Sequence, residues 1–303
     1  MTRTAAASVA LAILALLVTG CSGPGEPGPT PTRASPTAST SPTPSTPTQG
    51  PTYVALGDSY TAGGLIGSFQ TDGERCQRSA QNYPSIVSTT LDLPVTDVSC
   101  GGATTASVLE GDRGLPAQIE AITPRTRVVT VSIGGNDFGL YGKLILTCSR
   151  LSVPGASGAP CREGLASEVD ALVPAIGDQV GATLDALRRE APDATVLLVG
   201  YPRLMPNGGT CPNTPYARGD VAWISSLESA LSSAMATAAR SRAVPFVPMY
   251  KPSKGHDLCS GDAAWVNGLD PPKGDGVVLH PNAAGERAIA KAVVKALRKT
   301  PGI

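Results

Sequence analysis

Along residues 51–303, short apolar runs alternate with longer stretches of helical periodicity. The runs Tyr53–Leu56, Pro94–Val98, Arg127–Ile133, Ala194–Val199 and Val244–Pro248 are strand-like and rich in β-formers. Near-continuous apolar runs of this kind suit strands buried on both faces. Between and after them, Ser79–Leu91, Leu115–Ile122, Gly164–Glu190, Tyr216–Arg240 and Asn282–Arg298 predict helices, the third with an interruption near Pro174. In the last of these, Ile289, Val293, Ala296 and Leu297 recur at a spacing of three to four, which makes a core-facing stripe. Strands alternating with helices predict an α/β domain whose parallel sheet is covered on both sides. Two segments rich in Gly, Pro, Ser and Asn, Cys148–Arg162 and Met205–Pro215, read as loops long enough to wall a cleft.

Residues 1–50 follow a different pattern. Arg3 precedes an apolar run, Val9 to Val18, that is too short for a comfortable membrane span. It leads into Val18-Thr19-Gly20-Cys21, which resembles the bacterial lipoprotein signal, where the cysteine is acylated and becomes the new N-terminus. Residues 1–21 are therefore expected to be a lipoprotein-type signal with lipidation at Cys21; the alternative is an ordinary secretory peptide in which Cys21 is incidental. Both readings export the protein, the first to the outer side of the cell membrane. Residues 22–50 are mostly Pro, Thr, Ser and Gly, with only Glu26 and Arg33 charged, and predict a disordered, partly extended tether. Residues 51–303 then form one domain.

Composition narrows the partners. Twenty-four basic and 24 acidic residues balance, and no basic stripe carries interleaved aromatics, so nucleic acid is not an expected partner. Of seven cysteines, six remain once Cys21 is set aside, and an even number in an exported domain implies disulfides. Nearest-neighbour pairing, Cys76–Cys100, Cys148–Cys161 and Cys211–Cys259, is preferred because each pair would close a loop region between regular elements. Other pairings stay open. A zinc site is the weaker reading: there is no C-x-x-C, and the two histidines lie outside ligand spacing.

Four segments then converge on one edge of such a sheet: Gly57-Asp58-Ser59, Ser99–Thr104 with Gly101-Gly102 inside it, Ile133-Gly134-Gly135-Asn136-Asp137, and Leu279-His280-Pro281-Asn282. Each follows a strand or opens a helix, and chemistry in open α/β sheets collects outside the carboxyl ends of the strands. A serine hydroxyl needs a base and an oxyanion hole to act as a nucleophile. Of the two histidines, His256 lies in a polar loop beside Cys259, which leaves His280 as the candidate base. Asp58 and Asp137 are expected to brace loops; Tyr60 and Asn82 receive no role.

With these blocks in order, the chain resembles the SGNH hydrolases, the GDSL family of esterases and lipases, over essentially all of residues 52–298. Together with six cysteines, it is most similar to secreted actinobacterial members, some of which have three sequential disulfides. The resemblance implies a flavodoxin-like, three-layer α/β/α sandwich on a five-stranded parallel sheet. It implies carboxylic ester hydrolysis through an acyl-enzyme, without cofactor or metal. It assigns Ser59 as nucleophile, His280 as general base, and the Ser59 N–H, Gly102 N–H and Asn136 amide as oxyanion donors. An ester substrate, expected to be a lipid, and a monomeric enzyme follow. The rival readings are a carbohydrate acetylesterase and a non-catalytic surface lipoprotein that uses the fold for binding.

The chain departs from the family at one point. Many members carry an aspartate three residues before the histidine, and here that residue is Val277. The expected substitute is the backbone carbonyl of Val278, which would make a Ser–His dyad; Asp275 is the less favoured alternative.

Overall fold

The computed structural model describes residues 52–71 and 73–300; the expected signal segment, Cys21 and the tether at 22–50 lie outside the described residues. Five strands, β1 (Thr52–Gly57), β2 (Val95–Asp97), β3 (Thr126–Ser132), β4 (Thr195–Val199) and β5 (Phe246–Val247), form one sheet in the order β2-β1-β3-β4-β5. All neighbours pair in parallel. The expected α/β/α sandwich is the fold observed.

Side chains that alternate along a strand sort into the two outer layers. Val54 and Leu56 of β1, with Val129, Val131 and Leu198, pack beneath α5 (Pro160–Glu190) and α6 (Arg218–Arg240). Tyr53 and Ala55, with Val128, Leu197 and Val199, face α2 (Tyr83–Leu91) and α7 (Ala283–Leu297). In α7 the stripe of Ile289, Val293 and Leu297 is almost fully buried. Each such side chain contributes at most about 1.5–3 kcal/mol of burial free energy, an upper bound because the unfolded chain already hides part of it.

Several elements differ from expectation. Leu115–Ile122 is not an α-helix: only Gln118–Ala121 turns, as a short 3₁₀ segment. The reason is tertiary. The Gln118 amide pairs with both backbone groups of Gly57, donating to its carbonyl (3.0 Å) and accepting from its N–H (2.8 Å). The second helix starts at Tyr83, where Asn82 caps the N-terminus by accepting from Ser85 N–H. The segment Cys148–Arg162 is mostly helical at its ends. An unexpected helix, α4 (Leu140–Leu151), carries Cys148 in its last turn, and α5 begins at Pro160, ahead of the expected Gly164. Helix α5 runs through Pro174 without interruption. Two further short helices were not expected, α1 (Ser59–Ala62) and α3 (Thr105–Leu109).

All three disulfides pair as nearest neighbours: Cys76–Cys100, Cys148–Cys161 and Cys211–Cys259. The second joins two helices, because the loop between them is shorter than the sequence pattern suggested.

Candidate active site

Ser59 sits where β1 ends and α1 begins. The turn demands glycine at position 57: φ is +154°, and a Cβ there would lie 2.2 Å from Thr61 Oγ1 and 2.7 Å from the Ser132 carbonyl oxygen. Asp58 caps α1, accepting from the Tyr60 N–H (3.0 Å), and also accepts the Tyr201 hydroxyl (2.5 Å). Burial pushes the Asp58 carboxyl up to about 7, against the opposing effect of these donors. Tyr201 in turn accepts the Gly135 N–H (3.0 Å), so one buried hydroxyl links the serine turn to the Gly134–Asn136 turn. Asp137 accepts both the N–H and hydroxyl of Thr105 (2.8 and 2.6 Å), which joins that turn to α3. Both aspartates thus brace loops by hydrogen bonding.

The last block brings its histidine to the serine. His280 Nε2 lies 2.8 Å from Ser59 Oγ, and Nδ1 lies 2.8 Å from the Val278 carbonyl oxygen. A carbonyl only accepts, so Nδ1 carries the proton in the neutral ring and Nε2 presents its lone pair to the serine hydroxyl. Desolvation lowers the His280 pKa below its ordinary value, partly opposed by the Val278 hydrogen bond. Asp275 is engaged elsewhere: its Oδ1 accepts the Ala283 N–H (2.8 Å) at the start of α7. His256, the other histidine, stacks on Trp265 with ring centroids 4.1 Å apart and does not line the cleft.

Tyr60, left without a role by sequence, supports the same loop. Its hydroxyl donates to the Leu279 carbonyl (2.8 Å), and its ring packs on His280 with centroids 4.9 Å apart. Leu279 has φ +57°, unusual for a branched side chain, so the carbonyl of Val278 and the imidazole are presented by a strained turn. Asn82, also unassigned, holds Asp97 (2.7 Å) and the Ala62 carbonyl (3.3 Å), at the far end of α1.

Three further hydrogen-bond donors belong to residues that line the same cleft. Neither Ser59 N–H nor Gly102 N–H has a partner among the described residues. Gly102 adopts φ +77°, which glycine tolerates freely. Asn136 donates one amide hydrogen to the Ala103 carbonyl (3.0 Å), which orients the amide and leaves its second hydrogen unpaired. All three residues line one cleft of about 390 Å³ together with His280. Its wall on the β3–β4 side is apolar: Tyr141, Leu144 and Ile145 from α4, then Leu204, Met205 and Ile224. Glu228 holds that wall in place by accepting the N–H groups of Leu204 and Met205, and burial pushes its carboxyl up to about 8. Among the described residues no cluster of His, Cys, Asp and Glu is arranged to hold a metal ion.

A serine at a strand end, a histidine in hydrogen-bonding reach and a cleft beside them meet at the carboxyl edge of a parallel sheet, an arrangement that suits nucleophilic hydrolysis. Residues 55–288 match the model of the GDSL-like Lipase/Acylhydrolase family, and the chain belongs to that family. It is 34% identical to Lipase 2 of Streptomyces coelicolor over 82% of this chain and 85% of that protein. It is 31% identical to a lipase of Streptomyces rimosus over 78% of this chain and 83% of that one. Among solved structures, phospholipase A1 from Streptomyces albidoflavus superposes with a TM-score of 0.68 at 28% identity, covering 82% of this chain and 99% of that one. The protein is a carboxylic ester hydrolase.

Proposed function

We propose that the chain is an exported serine esterase or lipase that cleaves acyl esters, in particular lipid esters, with a Ser59–His280 dyad steadied by the Val278 carbonyl. The observation that carries this reading is the pair of 2.8 Å contacts on the two nitrogens of His280. Ser59 Oγ attacks the ester carbonyl as His280 Nε2 takes its proton. The tetrahedral oxyanion is met by the N–H groups of Ser59 and Gly102 and by the Asn136 amide. His280 returns the proton to the departing alcohol, and water, activated by the same nitrogen, then releases the acid from Ser59. Among the described residues no carboxylate hydrogen-bonds to His280, and Asp275 instead accepts the Ala283 N–H at the start of α7, which supports a dyad.

The apolar wall formed by α4 and the residues after β4 suits an acyl chain. The lipase and phospholipase names of the relatives agree with that choice. Export follows from the signal-like residues 1–21 and from the three disulfides. Acylation of Cys21 would leave the domain on a tether of residues 22–50 at the outer face of the membrane.

The test is hydrolysis of p-nitrophenyl esters from acetate to palmitate. Turnover by the wild type that rises with chain length, and its loss in Ser59→Ala and His280→Ala, is the expected result. A sharp maximum at acetate would replace the lipid reading with an acetylesterase, and no turnover by folded protein would replace it with a binding module.

A further inference from the structure

The reaction cleft is polar on one side only, and the strand order explains which. Strand β1, which delivers Ser59, has β3 and β4 on one side and β2 on the other. The apolar wall follows β3 and β4. On the β2 side the lining comes from Arg75, Gln77, Gly101 and Arg113.

The two arginines are braced to each other and to the oxyanion region. Arg75 donates from Nη2 to the Arg113 carbonyl. Arg113 donates from Nη2 to the Gly101 carbonyl (2.9 Å) and from Nε to Asp112 (2.9 Å). A Cβ built on Gly102 would lie 3.7 Å from Arg113 Nη1, so this guanidinium stands next to a proposed oxyanion donor. The Cys76–Cys100 disulfide ties the segment carrying Arg75 to the segment carrying Gly101 and Gly102. Asp112 offsets one of the two positive charges. No carboxylate pairs with Arg75 among the described residues, and Nε and Nη1 of Arg75 and Nη1 of Arg113 make no hydrogen bond there.

We propose that Arg75 and Arg113 form an anion subsite that binds a phosphodiester on the alcohol side of an acyl ester. The preferred substrates are then anionic acyl phospholipids, not neutral glycerides. This rests on the ester-hydrolase reading above and names its substrate class. With the acyl chain against the apolar wall, the alcohol portion of the ester leaves the carbonyl toward β2, where the free guanidinium donors lie. Guanidinium is suited to phosphate because its planar array of N–H groups matches two oxygens at once.

The test compares kcat/KM for a soluble short-chain pair, dihexanoyl phosphatidylglycerol and dihexanoylglycerol, each below its micellar concentration. In wild type the ratio of anionic to neutral ester is expected to exceed unity and to fall as salt rises, since partly exposed charges are screened. In Arg75→Gln/Arg113→Gln the ratio should fall at least about tenfold, mainly through KM, with Arg75→Lys intermediate because it keeps the charge and loses the planar fork. Inorganic phosphate should compete with the anionic ester and not with the neutral one; equal competition against both would mean a small-anion site at the reacting carbonyl and would overturn the head-group assignment. A ratio unchanged in the double variant, with the neutral ester still turned over, overturns the subsite alone. Failure of the wild type to hydrolyse the neutral ester as well would instead bring down the roles of Ser59 and His280.

Discussion

Tyr60→Phe isolates one hydroxyl beneath the proposed dyad. The ring that packs on His280 is kept, and only the 2.8 Å hydrogen bond to the Leu279 carbonyl is lost. Leu279 is 6% exposed, so its carbonyl has little access to water in compensation. A buried acceptor left without a donor costs about 1–3 kcal/mol. The left-handed conformation of Leu279 costs about 1–2 kcal/mol for a residue with a Cβ, and the Tyr60 bond is one of the contacts holding it. Relaxation of that turn would move the Val278 carbonyl away from Nδ1 and loosen the imidazole. The expected effect is a loss of about 1.4 kcal/mol of transition-state stabilisation, roughly tenfold in kcat/KM, carried by kcat. Tyr60 is a positioning residue, so a second readout separates this role from plain stability. A looser turn admits water to His280 and weakens the Val278 bond; because desolvation is the larger influence, the net effect should be to raise its pKa toward the ordinary 6.5, moving the acid limb of kcat/KM upward. Steady-state kinetics on p-nitrophenyl butyrate across pH measures both. An acid limb that stays in place, with kcat/KM within about twofold of wild type, would rule out a positioning role for the Tyr60 hydroxyl.

Other consequences follow from the same geometry. Asp275→Ala should keep at least about a tenth of wild-type kcat/KM, a loss of no more than ~1.4 kcal/mol, because its carboxylate accepts the Ala283 N–H and makes no hydrogen bond to His280; a thousandfold loss would restore a triad. Asn136→Ala should lower kcat by about 10²–10³, or about 2.7–4 kcal/mol, with little change in KM, as measured on the same ester. Replacing Cys76 and Cys100 together by alanine should destabilise the domain by about 3 kcal/mol in denaturant titration, given a sequence separation of 24, and should loosen Gly102 enough to lower kcat as well. Glu228 has its pKa raised in the folded state, so its contribution to stability is fully present below its unfolded value near 4.5 and is lost as pH rises through about 8. Glu228→Gln should therefore flatten the decline in thermal stability across that window; an unchanged slope would show that the buried carboxyl does not titrate there.

The parts legible in sequence were those where chemistry or periodicity restricts residue identity locally. The central strands β1, β3 and β4 were visible because both faces of the sheet are buried there, and Ser59, Gly102, Asn136 and His280 each stand in a short block at a strand end or a helix start. What stayed hidden depends on distant partners. Tyr201 reaches Asp58 across 143 positions, and Gln118 reaches Gly57 across 61; neither side chain carries a local signal. Gln118 shows the cost to local prediction, since its two bonds to Gly57 hold the 118–121 turn where helical periodicity alone suggested an α-helix. Helix α4 is a different case. Its buried residues Leu140, Leu144 and Cys148 recur every four positions, a readable helical stripe in a region dominated by the glycine-rich turn before it and the loop residues after it. Arg75 and Arg113 are separated by 38 positions and meet only because the sheet order and a disulfide place their segments together.

In the proposed mechanism Ser59 is activated by His280 with a backbone carbonyl and no carboxylate behind it. The most direct test is the rate of labelling by a fluorophosphonate probe, measured against pH in wild type, His280→Ala and Asp275→Asn. One adduct per chain on Ser59 is expected, with loss of labelling in His280→Ala and a single acid limb, its midpoint below the ordinary 6.5, that Asp275→Asn leaves in place. Labelling at another residue, or an acid limb that Asp275→Asn displaces by about a full pH unit, would contradict it.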